Sequence, residues 1–230
     1  MKKVTVICLV ALSAAIIMCN NPDGVTGIDP GFPPGTMMLS EGFETDTAQL
    51  LQYTYAPGWG IMSRTMDHAH TGKYSLTSDS NRTGIKKYFD DNIIESVAGL
   101  QFYLMATKAE QINFYAAIAR SGSAWNGLYT IFGMGISKSD SLEYFCQYAP
   151  DDSTNEQKCF APLQFNKWYQ CRIEYDFTTK TLTYLLDGTV VGTKSTPYVS
   201  SLSMLVTIRD ESGSPGLKGY YIDDISVYRK

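Results

Sequence analysis

Histidine is nearly missing from this chain, with two in 230 residues. That scarcity removes most histidine-based chemistry, since zinc centres and base-activated nucleophiles draw on imidazole. Basic clusters are missing too. The 19 lysines and arginines are scattered and outnumbered by 23 acids, giving a formal charge of −4. Nucleic acid is therefore excluded as a partner, because its binding rests on a basic patch. A polybasic contact with an anionic membrane is excluded on the same ground. Gly-x-Ser-x-Gly, His-Glu-x-x-His and a phosphate-cradling loop are all absent. No long segment repeats its apolar residues at the helical period, and no internal repeat is visible. Beyond residue 19, no apolar run reaches the ~20 residues of a membrane span.

What is present starts at the first residues. Lys2 and Lys3 precede an apolar run from Val4 to Met18, closed by Cys19. This is the charge-then-apolar layout of a secretory signal. Ile16-Ile17-Met18-Cys19 resembles the lipobox of bacterial lipoprotein signal peptides. The resemblance implies cleavage before Cys19 and a lipid on that cysteine. Met18 departs from the Gly, Ala or Ser usual at its position, and an ordinary signal cut after Ala14 or Ala15 is the alternative. Residues 20–36, NNPDGVTGIDPGFPPGT, hold four prolines and four glycines and read as a tether. The expected organisation is a signal peptide over 1–18, a lipidated cysteine and tether over 19–37, and one domain over 38–230. Removing 1–18 leaves 17 basic and 23 acidic side chains, a formal charge of −6. The expected address is the bacterial cell envelope, outer membrane or cell surface, with the membrane met only through the lipid.

Five cysteines occur. Cys8 leaves with the signal and Cys19 carries the lipid. Cys146, Cys159 and Cys171 remain in an oxidising setting, where an odd number leaves one thiol over. Cys171 belongs to the alternating run Tyr169, Cys171, Ile173, Tyr175, which reads as one buried strand face. The expected disulfide is therefore Cys146–Cys159, closing a loop over 150–158 for about 3 kcal/mol. Cys159–Cys171 is the competing pair.

From about residue 38 the apolar period is two. Leu100 to Leu104 alternates, and so does Ile112 to Ile118. The clearest stretch begins at Trp168, read as a core residue. Its strand WYQCRIEYDF turns at Thr178-Thr179-Lys180, and TLTYLL then ends at Asp187-Gly188. Asp-Gly between apolar runs signals a hairpin, because both central turn positions favour positive φ. In the last strand, alternation sets Tyr221, Asp223, Ile225, Val227 and Arg229 on one face. Ile222, Asp224, Ser226 and Tyr228 take the other. About fourteen such strands, with turn residues every 8–12 positions, predict an all-β chain folded as a single antiparallel β-sandwich.

Four segments resemble the concanavalin A-like lectin/glucanase jelly roll, especially its laminin G-like branch. They are Glu41-Gly42-Phe43-Glu44, His70-Thr71-Gly72-Lys73-Tyr74-Ser75-Leu76, Trp168 to Gly188, and Tyr221-Ile222-Asp223-Asp224-Ile225. In this order they cover about residues 39–229. Galactose-binding-like carbohydrate modules share the first and last segments and are the rival fold. The resemblance implies carbohydrate or protein binding, and in some members glycoside hydrolysis. It also implies a structural Ca²⁺ site where acids of the terminal strands meet, with Glu44, Asp223 and Asp224 as ligands. Calcium takes six to eight oxygens. Asp223 and Asp224 point to opposite faces of an unbroken strand, so joint ligation needs a bulge.

Hydrolysis can be tested in the sequence. Retaining glycosidases need two carboxylates about 5 Å apart. The resembling glucanases carry Glu-x-Asp-x-x-Glu on one strand. Here Glu174 and Asp176 match its start, but Thr179 stands where the second Glu would be and cannot donate the proton. Asp67, His68 and His70 lack the further ligand that zinc requires and read as a loop. Aromatic residues are the remaining signal, because sugar rings stack their C–H faces on indole and phenol. Trp125, with Asn126 and Tyr129, follows a polar Ser-Gly-Ser-Ala loop. Tyr53, Tyr55 and Trp59 form a second group, and Tyr144 with Tyr148 a third. The expected carbohydrate-binding residues are Trp125, Asn126, Tyr129, Trp59 and Tyr148. The sequence thus predicts a non-catalytic, monomeric carbohydrate-binding protein whose partner is a polysaccharide or glycoconjugate. An adhesion protein that binds other proteins and a divergent glycosidase are the alternatives.

Overall fold

The computed structural model describes residues 36–45, 51–54, 62–78, 83–88, 97–107, 113–120, 129–136, 141–149, 156–195, 204–210 and 219–230. Fifteen strands lie among them, and no helix. In chain order these are β1 (Thr36–Glu41), β2 (Leu51–Thr54), β3 (Met62–Thr65), β4 (Ser75–Ser78), β5 (Thr83–Tyr88), β6 (Val97–Ala106) and β7 (Asn113–Arg120). Next come β8 (Tyr129–Ile136), β9 (Leu142–Ala149), β10 (Glu156–Pro162) and β11 (Tyr169–Asp176). The last four are β12 (Thr181–Leu186), β13 (Thr189–Ser195), β14 (Met204–Asp210) and β15 (Tyr220–Arg229).

The strands pair antiparallel in two sheets. One has eight strands in the order β13-β12-β11-β6-β15-β4-β3, with β1 also paired to β15. The other has seven, in the order β10-β9-β8-β7-β14-β5-β2. The sandwich read from the period-two pattern is the observed architecture. Its core lies between the sheets. Phe132 of the seven-stranded sheet meets Phe102 at 6.4 Å and Tyr184 at 6.0 Å from the opposite sheet, both edge-on. Burying a side chain of this kind contributes about 1.5–3 kcal/mol. Thr130 and Tyr184 join their hydroxyls across the core at 2.6 Å, so neither is buried without a partner.

The β11–β13 hairpins follow the sequence closely. Tyr169, Cys171, Ile173 and Tyr175 are all buried. Asp176 Oδ1 accepts the Thr178 and Thr179 amides at 2.7 and 3.0 Å, fastening the first turn. Asp187 and Gly188 have φ of 47° and 77°, the paired positive values that the second turn needs.

Three expectations fail. The Cys146–Cys159 bridge is not formed, and Cys146 and Cys171 are buried thiols. The register explains this. Cys146 stands opposite Lys158, and Cys159 stands opposite Phe145. A one-residue offset puts the two positions on opposite faces of the sheet. Strict alternation along β15 also breaks. The β6 register shifts between Asp223 and Ser226, and Asp224 has φ of 46°. Tyr220, Ile222, Ile225 and Val227 therefore face the core, and Tyr221, Asp223, Ser226 and Tyr228 take the outer positions. Finally, Trp168 is half-buried and outside the core, where Tyr169 sits instead.

Candidate functional site

The β15 bulge shapes the first candidate site. On the edge away from β6, β15 pairs with β4 at Tyr221 and Ile222, and with β1 from Ile225 onward. Asp223 and Asp224 occupy the gap. Their carboxylates grip the loop that leads into β4. Asp223 Oδ2 accepts the His70 amide at 2.8 Å and the Thr71 amide at 3.3 Å, and Oδ1 accepts the Asp224 amide at 2.8 Å. Asp224 Oδ2 lies 2.6 Å from His70 Nδ1, and Oδ1 accepts the Thr71 hydroxyl at 2.7 Å. The His70 ring stacks on Tyr103 at 3.6 Å and meets Trp168 edge-on at 5.7 Å. Glu44 closes the loop's far end by accepting the Lys73 and Tyr74 amides, each at 2.9 Å. A side chain at Gly72 would run into the Glu44 carboxylate, so the close approach requires glycine there.

The expected calcium ligands already have partners in this arrangement. The bulge does let Asp223 and Asp224 act together, but their oxygens are taken by N–H and O–H donors of the loop. Glu44 serves the loop's other end. No group of three His, Cys, Asp or Glu side chains able to hold a metal occurs among the described residues. Burial, and then the charge of Asp224, push the Asp223 carboxyl up to about 7 against three N–H donors. The residues present do not fit the ion.

The centre of the outer face of the eight-stranded sheet, on β6, β11 and β15, carries polar contacts among its own side chains. Glu174 accepts the Tyr228 hydroxyl, and Lys230 Nζ lies 3.5 Å from the same oxygen. Arg172 donates to Gln101 Oε1 through Nε at 3.0 Å and NH2 at 2.8 Å, and both residues are buried. The backbone amides at Thr179 and then Thr178 hold Asp176 below the ordinary carboxylate range. A general acid needs the opposite shift. Glu174 and Asp176 are thus an outer-face anchor and a turn fastener, not a pair flanking a cleft.

The seven-stranded sheet presents a different face. Phe132 and Ile85 are buried in the core, and the register carries Ala116 and Ile208 to the same side. The intervening positions form rows across the outer face. One row reads Cys159, Phe145, Gly133, Tyr115, Arg209, Gly84, Tyr53. The next reads Gln157, Gln147, Ile131, Ala117, Thr207, Lys86, Leu51. Among the described strand positions on this face, the only carboxylate belongs to Glu143, opposite Gly135.

No protein-family model matches the sequence, and no curated protein matches it. Solved structures do. A Bacteroides ovatus GH16 protein of a mixed-linkage glucan locus, in complex with a product, superposes with a TM-score of 0.57 at 14% identity, over 77% of this chain and 94% of that one. Cellulose induced protein Cip1 gives 0.56 at 15%, over 82% and 96%. The ligand-binding domain of botulinum neurotoxin serotype D, with N-acetylneuraminic acid, gives 0.52 at 11%, over 84% and 47%. The fold is a concanavalin A-like jelly roll.

Trp125, Asn126, Trp59 and Cys19 lie outside the described residues. Tyr129 holds an outer position at the start of β8, opposite Ala119. Tyr148 does not. It stands opposite Thr130, which is buried and bonded across the core, so its register position is on the core side. Tyr144 of the same group is buried in the core. Tyr115, Arg209 and Lys86 are not singled out from the sequence. Alternation alone assigns them to outer positions, but only the pairing of β5, β14 and β7 makes them neighbours.

Proposed function

We propose that this protein binds carbohydrate without cleaving it, on the outer face of the seven-stranded sheet. The observation that carries the reading is the composition of the two central rows. They combine aromatic residues (Tyr53, Tyr115, Phe145) with amides (Gln147, Gln157) and hold no carboxylate. Aromatic rings stack on sugars, while amides serve their hydroxyls. The fold supports it as well. Jelly rolls of this shape include a GH16 protein of a mixed-linkage glucan locus and a domain solved with N-acetylneuraminic acid. The opposite sheet supports it too, since the centre of its outer face is engaged in its own polar contacts. The leader and the Cys19 tether extend the proposal to a lipid-anchored protein displayed on the envelope.

Isothermal titration of the full-length protein against a panel of polysaccharides tests this. Binding to at least one glycan, weakened by Tyr115→Ala at unchanged melting temperature, is the expected result. A protein that binds no glycan, or that pulls down a protein partner which free sugars fail to displace, overturns it. Release of oligosaccharide products would overturn the non-catalytic part alone.

A further inference from the structure

Charge is unevenly spread over the outer face of the seven-stranded sheet. Among its described strand positions only Arg209, Lys86 and Glu143 are charged. Arg209 and Lys86 are diagonal neighbours, since Arg209 stands opposite Gly84 and Lys86 follows two residues later. Such positions lie about 7–8 Å apart. Glu143 is on β9, four strands from Lys86 on β5, or roughly 19 Å at the usual strand spacing. That exceeds two Debye lengths at physiological salt, so Glu143 offers these cations little screening. The chain as a whole is acidic. A local cationic pair on an acidic molecule is therefore a positional feature and not the overflow of a basic composition.

We infer that this face recognises a uronic-acid polysaccharide, with Arg209 and Lys86 pairing the carboxylates and Tyr115 and Tyr53 stacking the rings. The inference rests on the carbohydrate-binding reading above. Tyr115 stands directly opposite Arg209, about 5 Å away at the strand. A uronate ring carries a C–H face and a carboxylate on one small unit, so one sugar can meet both. The arginine fork matches a planar carboxylate with two parallel hydrogen bonds. Gly84 stands opposite Arg209 and Gly133 opposite Tyr115 in the register of this face. A nucleic acid, with its dense charge, would need a far larger basic patch than two residues.

The test titrates the full-length protein with polygalacturonate, with the same polymer after carboxyl reduction, and with a sulfated galactan. Polygalacturonate is expected to bind, and to bind more weakly as salt rises. Carboxyl reduction, or Arg209→Gln, is expected to cost about tenfold or more, in line with the loss of a charged hydrogen bond. Arg209→Lys, which keeps the charge and loses the fork, is expected to fall between. Lys86→Gln gives an independent reading should Arg209→Gln fail to fold, and melting curves identify such a failure. Equal affinity for the reduced polymer overturns the uronate assignment and leaves the carbohydrate-binding reading standing. Tighter binding of the sulfated galactan also overturns it. Binding of none of the three, with neutral glycans equally inert, removes both.

Discussion

Gly99 and Tyr228 give the sharpest test of how the jelly roll holds together. They stand opposite each other on β6 and β15, at outer positions of the eight-stranded sheet. The Tyr228 ring lies over the glycine and is wholly buried. A Cβ at position 99 would sit 2.6 Å from Tyr228 Cε1 and closer still to Cζ and the hydroxyl oxygen. No alanine fits while the ring stays. Two losses follow in Gly99→Ala. The Tyr228 hydroxyl leaves the Glu174 carboxylate, a charged hydrogen bond worth about 1.5–3 kcal/mol. Half of a tyrosine surface of roughly 150–250 Å² becomes exposed, costing about 2–3 kcal/mol at 25 cal/mol per Å². Alanine returns about 0.5–1 kcal/mol through its lower backbone freedom. The net cost is about 3–5 kcal/mol, or a fall in melting temperature on the order of 6–20 °C for a chain of this size. Thermal unfolding by circular dichroism measures it. The decisive comparison is a double-mutant cycle with Tyr228→Ala. With the ring gone, Gly99→Ala should be neutral or slightly stabilising. If the two substitutions simply add, or if Gly99→Ala alone costs under about 1 kcal/mol, the ring does not depend on the missing side chain and the reasoning fails.

Other predictions follow from the clamp and the core. Asp223 is raised from 3.8 to about 7 in the folded state, so its contribution to stability is complete below about pH 4 and is lost as pH rises through 7. The span corresponds to something on the order of 4 kcal/mol. Melting temperature should therefore fall between pH 5 and pH 8 by more in the wild type than in Asp223→Asn, and equal slopes would refute it. EDTA should leave the melting curve unchanged, because the oxygens of Glu44, Asp223 and Asp224 already serve the loop; a drop restored by Ca²⁺ would show that an ion replaces those contacts. Burial first, and then the charges of Cys146 and Asp187, hold the Cys171 thiol well above its ordinary range. Iodoacetamide should leave Cys146 and Cys171 unmodified in the native protein and label both in denaturant without reductant, as read by peptide mass spectrometry. Failure to label the denatured chain would reveal a disulfide.

What the sequence made legible was local. The period of two, the Asp187-Gly188 turn and the buried face of Tyr169, Cys171, Ile173 and Tyr175 all depend on residues a few positions apart, and all hold. What it hid depends on pairing. The alternation of β15 fails at Asp224 because the bulge adds a residue that no local pattern announces. The disulfide fails by one step of register between β9 and β10. Tyr148 has the composition of a sugar-binding residue but stands opposite a buried threonine. Each error comes from reading a strand alone when its neighbour fixes which face is which.

The same distinction separates the two parts of the molecule that drew notice. Glu41-Gly42-Phe43-Glu44, His70 to Leu76 and Tyr221 to Ile225 are far apart in sequence and meet at one place. Glu41 accepts the Phe43 amide at 2.8 Å, Glu44 ties down residues 73 and 74, and the two aspartates hold residues 70 and 71. Segments that serve this closure have little freedom to vary, since each carboxylate must reach a particular amide and Gly72 must lack a side chain. They mark the fold for that reason, which is a structural role. A ligand face on a sheet has the reverse character. The face proposed here is made of strand positions such as Tyr115, Thr207 and Lys86, which belong to no motif. The sequence therefore points most clearly to the places where function is least expected. The search for a ligand belongs on the sheet where alternation is plain and the motifs are silent.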